Sequence, residues 1–163
     1  MNDANHALDL LARKLSLSDL RFDDDQAGIA LPEGPNLFLT RLDEQTIEAS
    51  CQLEGLDYPD AAMMRAMLEA NFLGGATGPG RLALDADKSE VVLCECWMVT
   101  DHDAASLERR FDAFVAAALF WCGEGTAILL EQAATIRAET AGPATTFAEM
   151  NDEDGEVPVL MRL

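Results

Sequence analysis

The residues best suited to nucleophilic chemistry lie at the start of one predicted helix. Ser106 follows His102 by four residues, which places both on one helical face, and Asp103 is adjacent to the histidine. A Ser-His-Asp triad needs an exposed nucleophile on a strained turn and a base that a third group orients. Three residues on one regular helix cannot form that arrangement alone. We therefore predict no catalytic residues and no enzyme.

Four cysteines and two histidines are the soft ligands that a zinc ion could use. The cysteines form no C-x-x-C pair, and Cys94 and Cys96 lie two apart in an apolar run, on one face of a predicted strand. A zinc site at this pair would need two further soft ligands nearby. The alternative, which we favour, is that the cysteines are small apolar core residues in a reducing compartment. We predict no metal and no cofactor.

Two other patterns resemble ligand-binding loops but have the wrong context. Gly75 and Gly80 have the spacing of a phosphate-binding loop, but Arg81 stands where lysine is required, and the loop follows a predicted helix. Residues 85–89 have the acid spacing of a calcium loop without its glycine, which favours a simple hairpin turn. Residues 23–25, three aspartates, indicate a solvated turn that a weakly bound cation could visit.

Composition restricts the class of partner. The chain has 163 residues, 49% of them hydrophobic, which suits one compact domain with a sizeable core. It carries 30 Asp and Glu against 11 Lys and Arg, a net charge of −19 that is spread over both halves. Such a surface repels phosphate backbones and anionic lipid, so we predict no nucleic-acid binding.

Membrane insertion and export are also not expected. The longest unbroken apolar run, Ala113–Cys122, has ten residues, which is too short to span a bilayer. Asp3 and Asp9 stand where a signal peptide would have basic residues and then an apolar stretch. We therefore expect a cytoplasmic protein that does not insert into the membrane.

Hydrophobic periodicity predicts the order α-β-β-β-α-β-β-α. The predicted helices cover 3–17, 59–72 and 100–122, and the predicted strands cover 26–31, 36–43, 46–54, 81–85 and 90–99. Residues 127–140 are helical by composition, and Gly123 and Gly125 either break or soften the preceding helix. We predict an α+β fold: a twisted antiparallel five-stranded sheet with helices mainly on one face. Its domain is 1–141, and 142–163 form a flexible acidic tail.

The helix predicted over 59–72 has more apolar surface than one packing partner can cover. Met63, Ala66 and Met67 form one stripe, and Met64, Leu68 and Phe72 form another beside it. The cover is either the sheet and a loop or a second subunit. Strands 36–43 and 90–99 are apolar on both faces, which suggests that something also covers the second face of the sheet. The methionines are either core residues or an adaptable binding surface.

One region of the chain resembles a known family. Residues 67–85 read MLEANFLGGATGPGRLALD, and residues 90–97 follow as EVVLCECW. This combination of a Leu-x-x-Asn helix end, a Gly-rich loop and a Leu-x-Leu-Asp hairpin is similar to the Tir chaperone (CesT-like) family, the class I chaperones of type III secretion. Size, acidity and element order agree along nearly the whole chain. The tail 142–163 and the two glycines at 123 and 125 depart from the family pattern.

The resemblance implies a homodimer that binds the N-terminal region of a secreted effector in extended form and presents it to the secretion apparatus, with the secretion ATPase as a further partner. It implies an edge strand that accepts an added strand, and no nucleotide hydrolysis by the chaperone. The implied dimer interface consists of Met63, Met64, Met67, Phe72 and Trp97. The implied effector-binding residues are Leu8, Leu11, Leu15, Phe22, Leu37, Leu39 and Leu93.

Two other functions remain open. A regulatory or adaptor module of the same fold would bind a folded bacterial partner through a compact surface. An enzyme would show a concave pocket with a strongly perturbed titratable group.

Overall fold

The computed structural model describes residues 3–32, 34–74 and 76–141, so the predicted tail 142–163 lies outside the described residues. Five strands form one antiparallel sheet in the order β1-β2-β3-β5-β4. The strands are β1 (Gln26–Ala30), β2 (Asn36–Arg41), β3 (Thr46–Asp57), β4 (Arg81–Asp85) and β5 (Glu90–Met98). The predicted α+β fold and strand set are confirmed. Strand β3 is longer than predicted because a register shift between Gln52 and Asp57 lets it continue.

The helices follow the predicted order. They are α1 (Ala4–Leu15), α2 (Ala61–Asn71), α3 (Ala104–Phe120) and α4 (Thr126–Ala141), with short 3-10 turns at Phe72–Gly74 and Val99–Asp101. Aspartates cap three of them: the side chains of Asp3, Asp60 and Asp103 each accept the N–H three residues on. Helix α3 begins later than predicted because Asp103, and not Thr100, is its N-cap.

The core lies between one face of the sheet and helices α1 and α3. Burial alternates along β3 and β5, so Ile47, Leu93 and Trp97 point inward and are fully buried. The Trp97 ring meets the rings of Phe111 and Phe114 edge-on, at centroid distances of 6.5 and 5.9 Å. Burying each such side chain stabilises the fold by about 1.5–3 kcal/mol. These contacts fix α3 across β5.

The two glycines between α3 and α4 soften the helix and do not break it. Residues Trp121–Gly125 form a π-helical turn, and α4 continues directly from it. A Cβ atom at Gly125 would lie 2.7 Å from the Trp121 ring, so only glycine fits this approach. The hydroxyl of Thr126 donates to the Trp121 carbonyl, 2.5 Å away.

Candidate binding surfaces

The predicted effector-binding residues lie mostly inside the core. Five of the seven side chains are at most 2% exposed, and two are half-buried. The buried set is Leu8, Leu11, Leu37, Leu39 and Leu93, and the half-buried pair is Leu15 and Phe22. The alternation of the strands predicted which side chains share a face, but this face packs on α1 and α3. A direct effector contact at the five buried residues would require the core to open, and their role stays a prediction.

The predicted dimer residues divide in the same way. Trp97 is in the core, and Met63 and Met67 are 4% and 5% exposed. Met64 and Phe72 are 42% and 72% exposed. Of the predicted interface residues, therefore, only Met64 and Phe72 present substantial apolar surface to solvent.

An exposed apolar patch follows one side of α2. Leu68 is 71% exposed and lies between Met64 and Phe72; we call these three residues the α2 patch. Met64, Leu68 and Phe72 are four apart and so lie on one side of the helix. Leu68 was missing from the predicted interface although its spacing from Met64 placed it on the same stripe.

Helix α4 covers the stripe of α2 that contains Met63 and Met67. Its buried side chains, Leu129, Ala133 and Ile136, belong to the same core cluster as Met63 and Met67. The sequence left open whether the sheet or another subunit covers this stripe, and the answer is a helix of the same chain. Covering α2 on this side leaves the α2 patch as its remaining apolar surface.

An ion pair joins the beginning of α2 to α4. The Nε of Arg137 lies 2.6 Å from Oδ2 of Asp60, and Asp60 Oδ1 also accepts the N–H of Met63 at 2.8 Å. The hydrogen bond from Arg137 and then the bond from Met63 hold the pKa of Asp60 below its usual value. Both groups are half-exposed, so the pair contributes orientation more than stability.

One edge of the sheet is closed by a side chain. The amide of Asn71, the last residue of α2, donates to the Leu82 carbonyl at 2.9 Å and accepts the Leu82 N–H at 2.8 Å. These are the backbone groups of edge strand β4 that point away from β5. Asn71 thus occupies the position of an added strand at the centre of β4. The asparagine of the Leu-x-x-Asn helix end has this structural role.

The opposite edge, β1, is open beyond its first residue. The N–H and carbonyl of Gln26 bond to Asp23 across a tight turn, on the side away from β2. By the alternation of an antiparallel strand, Gly28 and Ala30 direct their N–H and carbonyl groups the same way. A Cβ atom built at Gly28 meets nothing within 4 Å. The backbone of β1 can therefore be approached closely by another extended chain.

The second face of the sheet carries no helix among the described elements. It is a shallow groove of about 370 Å³ in which the half-buried side chains of Phe38 and Val92 lie among polar groups. Arg81 and Glu48 form an ion pair across it, with Arg81 Nη2 2.5 Å from Glu48 Oε2. The predicted cover of this face is not present within the described part of the chain, and the face is more polar than the sequence suggested.

The residues considered for catalysis have structural partners. Asp103 accepts the Ser106 N–H at 2.7 Å as a helix cap, and the Ser106 hydroxyl donates to the Asp103 carbonyl at 3.0 Å.

An ion pair joins β5 to α3. Glu95, buried on the inner face of β5, pairs with Arg110, whose Nε lies 2.6 Å from Oε1. Arg110 also contacts His102 at 3.4 Å. These contacts orient α3 on the sheet.

The residues considered as metal ligands do not form a cluster in the part of the chain that the structure describes. Within residues 3–32, 34–74 and 76–141, no group of three or more His, Cys, Asp or Glu side chains is arranged to hold a metal ion. Cys51 and Cys94 are buried, as core residues would be, whereas Cys96 and Cys122 are exposed. Burial raises the pKa of Cys94 to about 11, which makes its thiol a poor ligand or nucleophile at neutral pH.

One described helical stretch, Ala104–Ala141, is long and apolar enough to cross a membrane by length and composition. Core helices of soluble proteins satisfy the same criterion. In this stretch Phe111 and Phe114 pack on Trp97 of the sheet, and Leu129 packs into the core. The longest unbroken apolar run in the sequence, residues 113–122, is shorter than this helical stretch because the run ends at the Gly-Glu-Gly segment that follows Cys122.

Comparisons with known proteins identify both a family and a fold. The family described as Tir chaperone protein (CesT) matches residues 6–122 of this chain. No curated protein sequence matches it significantly. The match includes most of α1, the whole sheet, α2 and α3, and it ends inside the π-helical turn, so α4 lies outside it.

Several solved structures share the fold at low sequence identity. A chain of the ExsC-ExsE complex is 18% identical with a TM-score of 0.60, and the match covers 72% of this chain and 90% of that one. A chain from the Yersinia pestis type III secretion chaperone SycH in complex with a stable fragment of YscM2 is 18% identical, with a TM-score of 0.54 and coverage of 72% and 98%. A chain from the Pseudomonas aeruginosa ExoU-SpcU complex is 22% identical, with a TM-score of 0.53 and coverage of 77% and 95%.

Proposed function

This chain belongs to the Tir chaperone protein (CesT) family, and from that premise we propose that it is a type III secretion chaperone that binds the N-terminal region of a secreted effector. The chaperone keeps this region extended and soluble in the bacterial cytoplasm and presents it to the secretion apparatus and its ATPase. It acts by binding alone, without catalysis. The observation that carries the proposal is the family match over α1 to α3 together with an exposed strand edge.

The effector segment adds to the sheet at β1. This edge offers the outward backbone groups of Gly28 and Ala30, while Asn71 occupies the corresponding groups at the other edge. Backbone hydrogen bonds supply affinity that is independent of effector sequence. The half-buried side chains of Leu15 and Phe22 provide apolar contacts.

Charge and a second subunit complete the proposal. A net charge of −19 keeps a chain with exposed apolar surface soluble and favours a neutral or basic effector segment. Two copies of the chain associate through the α2 patch. This surface is suited to association because the apolar side chains of Leu68 and Phe72 are 71% and 72% exposed in the single chain. Effector binding at β1 and association at α2 use separate surfaces.

The test compares Gly28→Pro with Gly28→Ala. Proline removes the outward N–H and fills the space beside it, but the ladder to β2 is unaffected because it uses Ala27 and Ile29. Alanine keeps the N–H and places a methyl group in open space. Tagged wild type and both variants are used to capture partners from the source bacterium, and each partner is mapped by truncation.

We expect one dominant partner that is held through a segment of roughly 50–100 residues near its N-terminus, since a coupled-folding interface buries on the order of 1,000–3,000 Å². G28P should weaken this binding roughly tenfold or more, and G28A should not. A partner held only through a folded domain would instead favour the adaptor function. Equal binding by wild type and G28P would remove β1 as the site.

A further inference from the structure

Two thiols from distant parts of the chain are in contact. The Sγ atoms of Cys51 in β3 and Cys122 in the π-helical turn are 3.4 Å apart. Both also lie near the carbonyl oxygen of Gln52, at 3.4 and 3.7 Å. A disulfide bond is about 2.05 Å long, so closing the bond requires the sulfurs to approach by roughly 1.4 Å. Nothing in the general function of the chain uses this pair.

The two thiols differ in access. Cys51 is fully buried, whereas Cys122 is exposed and lines a surface cavity of about 480 Å³ together with Phe38 and Leu119. A small reagent can therefore react with the exposed Cys122 thiol first, and the buried Cys51 thiol is then in contact with the modified sulfur. This is the arrangement of an attacking thiol and a resolving thiol.

We propose that Cys51 and Cys122 are a reversible thiol-modification site that closes to an intramolecular disulfide with a small disulfide such as glutathione disulfide. The Cys122 thiolate attacks one glutathione sulfur, forming a mixed disulfide and releasing the first glutathione. Deprotonated Cys51 then attacks Cys122 Sγ and releases the second. Two protein thiols are oxidised, one glutathione disulfide is reduced to two glutathione molecules, and the two thiol protons end on the glutathiones.

The environment of the pair makes the reaction slow at neutral pH. Burial raises the pKa of both thiols, more strongly for Cys51, so few thiolates are present at pH 7. Each step needs a thiolate, and the rate should therefore increase as pH rises. The second step is intramolecular between sulfurs already in contact, so a mixed disulfide at Cys122 should not accumulate.

Closing the pair would fix the joint between α3 and α4 to the sheet. The bond links β3 to the π-helical turn and closes a loop of about 70 residues, which restricts the unfolded chain. We expect a rise in melting temperature of roughly 5–10 °C. Because α4 starts directly after this turn, its position on α2 would be held as well.

The experiment uses a full-length Cys94→Ala, Cys96→Ser chain in which 51 and 122 are the only thiols. After incubation with glutathione disulfide at pH 8.5, its intact mass under non-reducing conditions should fall by two hydrogen atoms, and reductant should restore it. Adding Cys122→Ser, an exposed position, should abolish the change. A persistent glutathione adduct, a covalent dimer or no change in mass would each overturn the proposal.

Discussion

At the scale of single residues, Asn71 occupies the outward backbone groups of Leu82 at the centre of edge strand β4. Its amide makes two hydrogen bonds to Leu82, one with the carbonyl and one with the N–H. No apolar residue could satisfy both groups, and a longer amide would reach past them. The polar residue at the end of an apolar helix is therefore explained by the strand beside it.

Replacing Asn71 with alanine should destabilise the fold by about 1–3 kcal/mol, because two part-buried backbone groups lose their partners. Urea unfolding measures the change. Gln52→Ala, an exposed position on β3, is the control and should stay within about 0.5 kcal/mol of wild type. If N71A were as stable as wild type, the cap on β4 would have no energetic role.

Asp60 should make the free energy of unfolding depend on pH in the acidic range. Its pKa is lowered in the folded state by Arg137 and by the Met63 N–H, so its stabilising effect is complete above its unfolded pKa of about 3.8. The effect is lost as pH falls through the folded pKa. Asp60→Asn should therefore be less stable than wild type at pH 7, and the difference should shrink as pH falls below about 3.8, as measured by urea unfolding.

Arg137→Met provides the control for the ion pair. In the R137M background the largest cause of the lowered pKa is absent, so D60N should cost less at pH 7 than it does in wild type. An unchanged cost would attribute the pH dependence to the helix cap alone.

At the scale of elements, local patterns predicted most of the fold. Helix α1 and strands β2, β4 and β5 were predicted to within about two residues at each end, because alternation and periodicity are local properties. The later start of α3 depended on which of two polar residues, Thr100 or Asp103, capped it. The packing of α4 on α2 depends on contacts between distant residues, which no local pattern encodes.

The local nature of sequence patterns also limits what they say about the predicted effector-binding residues. Periodicity shows that Leu37, Leu39 and Leu93 share one face of the sheet, but it cannot distinguish a face packed on helices from a face that binds a partner. In the structure this face is the core. The cap on edge strand β4 could likewise not be predicted from the sequence, because Asn71 bonds to Leu82, which lies eleven residues further along the chain.

Helix α4 should be required for stability although it lies outside the family match. A chain ending at Gly125 loses Leu129, Ala133 and Ile136 and uncovers Met63 and Met67. We expect a loss of about 3–6 kcal/mol in urea unfolding and increased binding of an apolar dye. A chain ending at Ala141 is the matched control. Equal stability of the two would mean that α4 contributes no net free energy to the fold.

At the scale of the whole molecule, net charge and exposed apolar surface have opposite effects on self-association. A charge of −19 on each copy repels a second copy, while in the proposed dimer burial of the α2 patch favours association. Salt screens the repulsion over about 8–10 Å and leaves apolar burial intact. Self-association through the α2 patch should therefore strengthen, and not weaken, as ionic strength rises.

Leu68→Glu tests this association. Leu68 is 71% exposed in the single chain, so the substitution should leave the fold intact while placing a charge in the centre of the α2 patch. In sedimentation equilibrium we expect wild type at twice 17.6 kDa and L68E at 17.6 kDa. Leu42→Glu, 55% exposed and away from α2, should remain dimeric. A monomeric wild type at high salt would contradict the proposed homodimer, and a dimeric L68E would place its interface elsewhere on the chain.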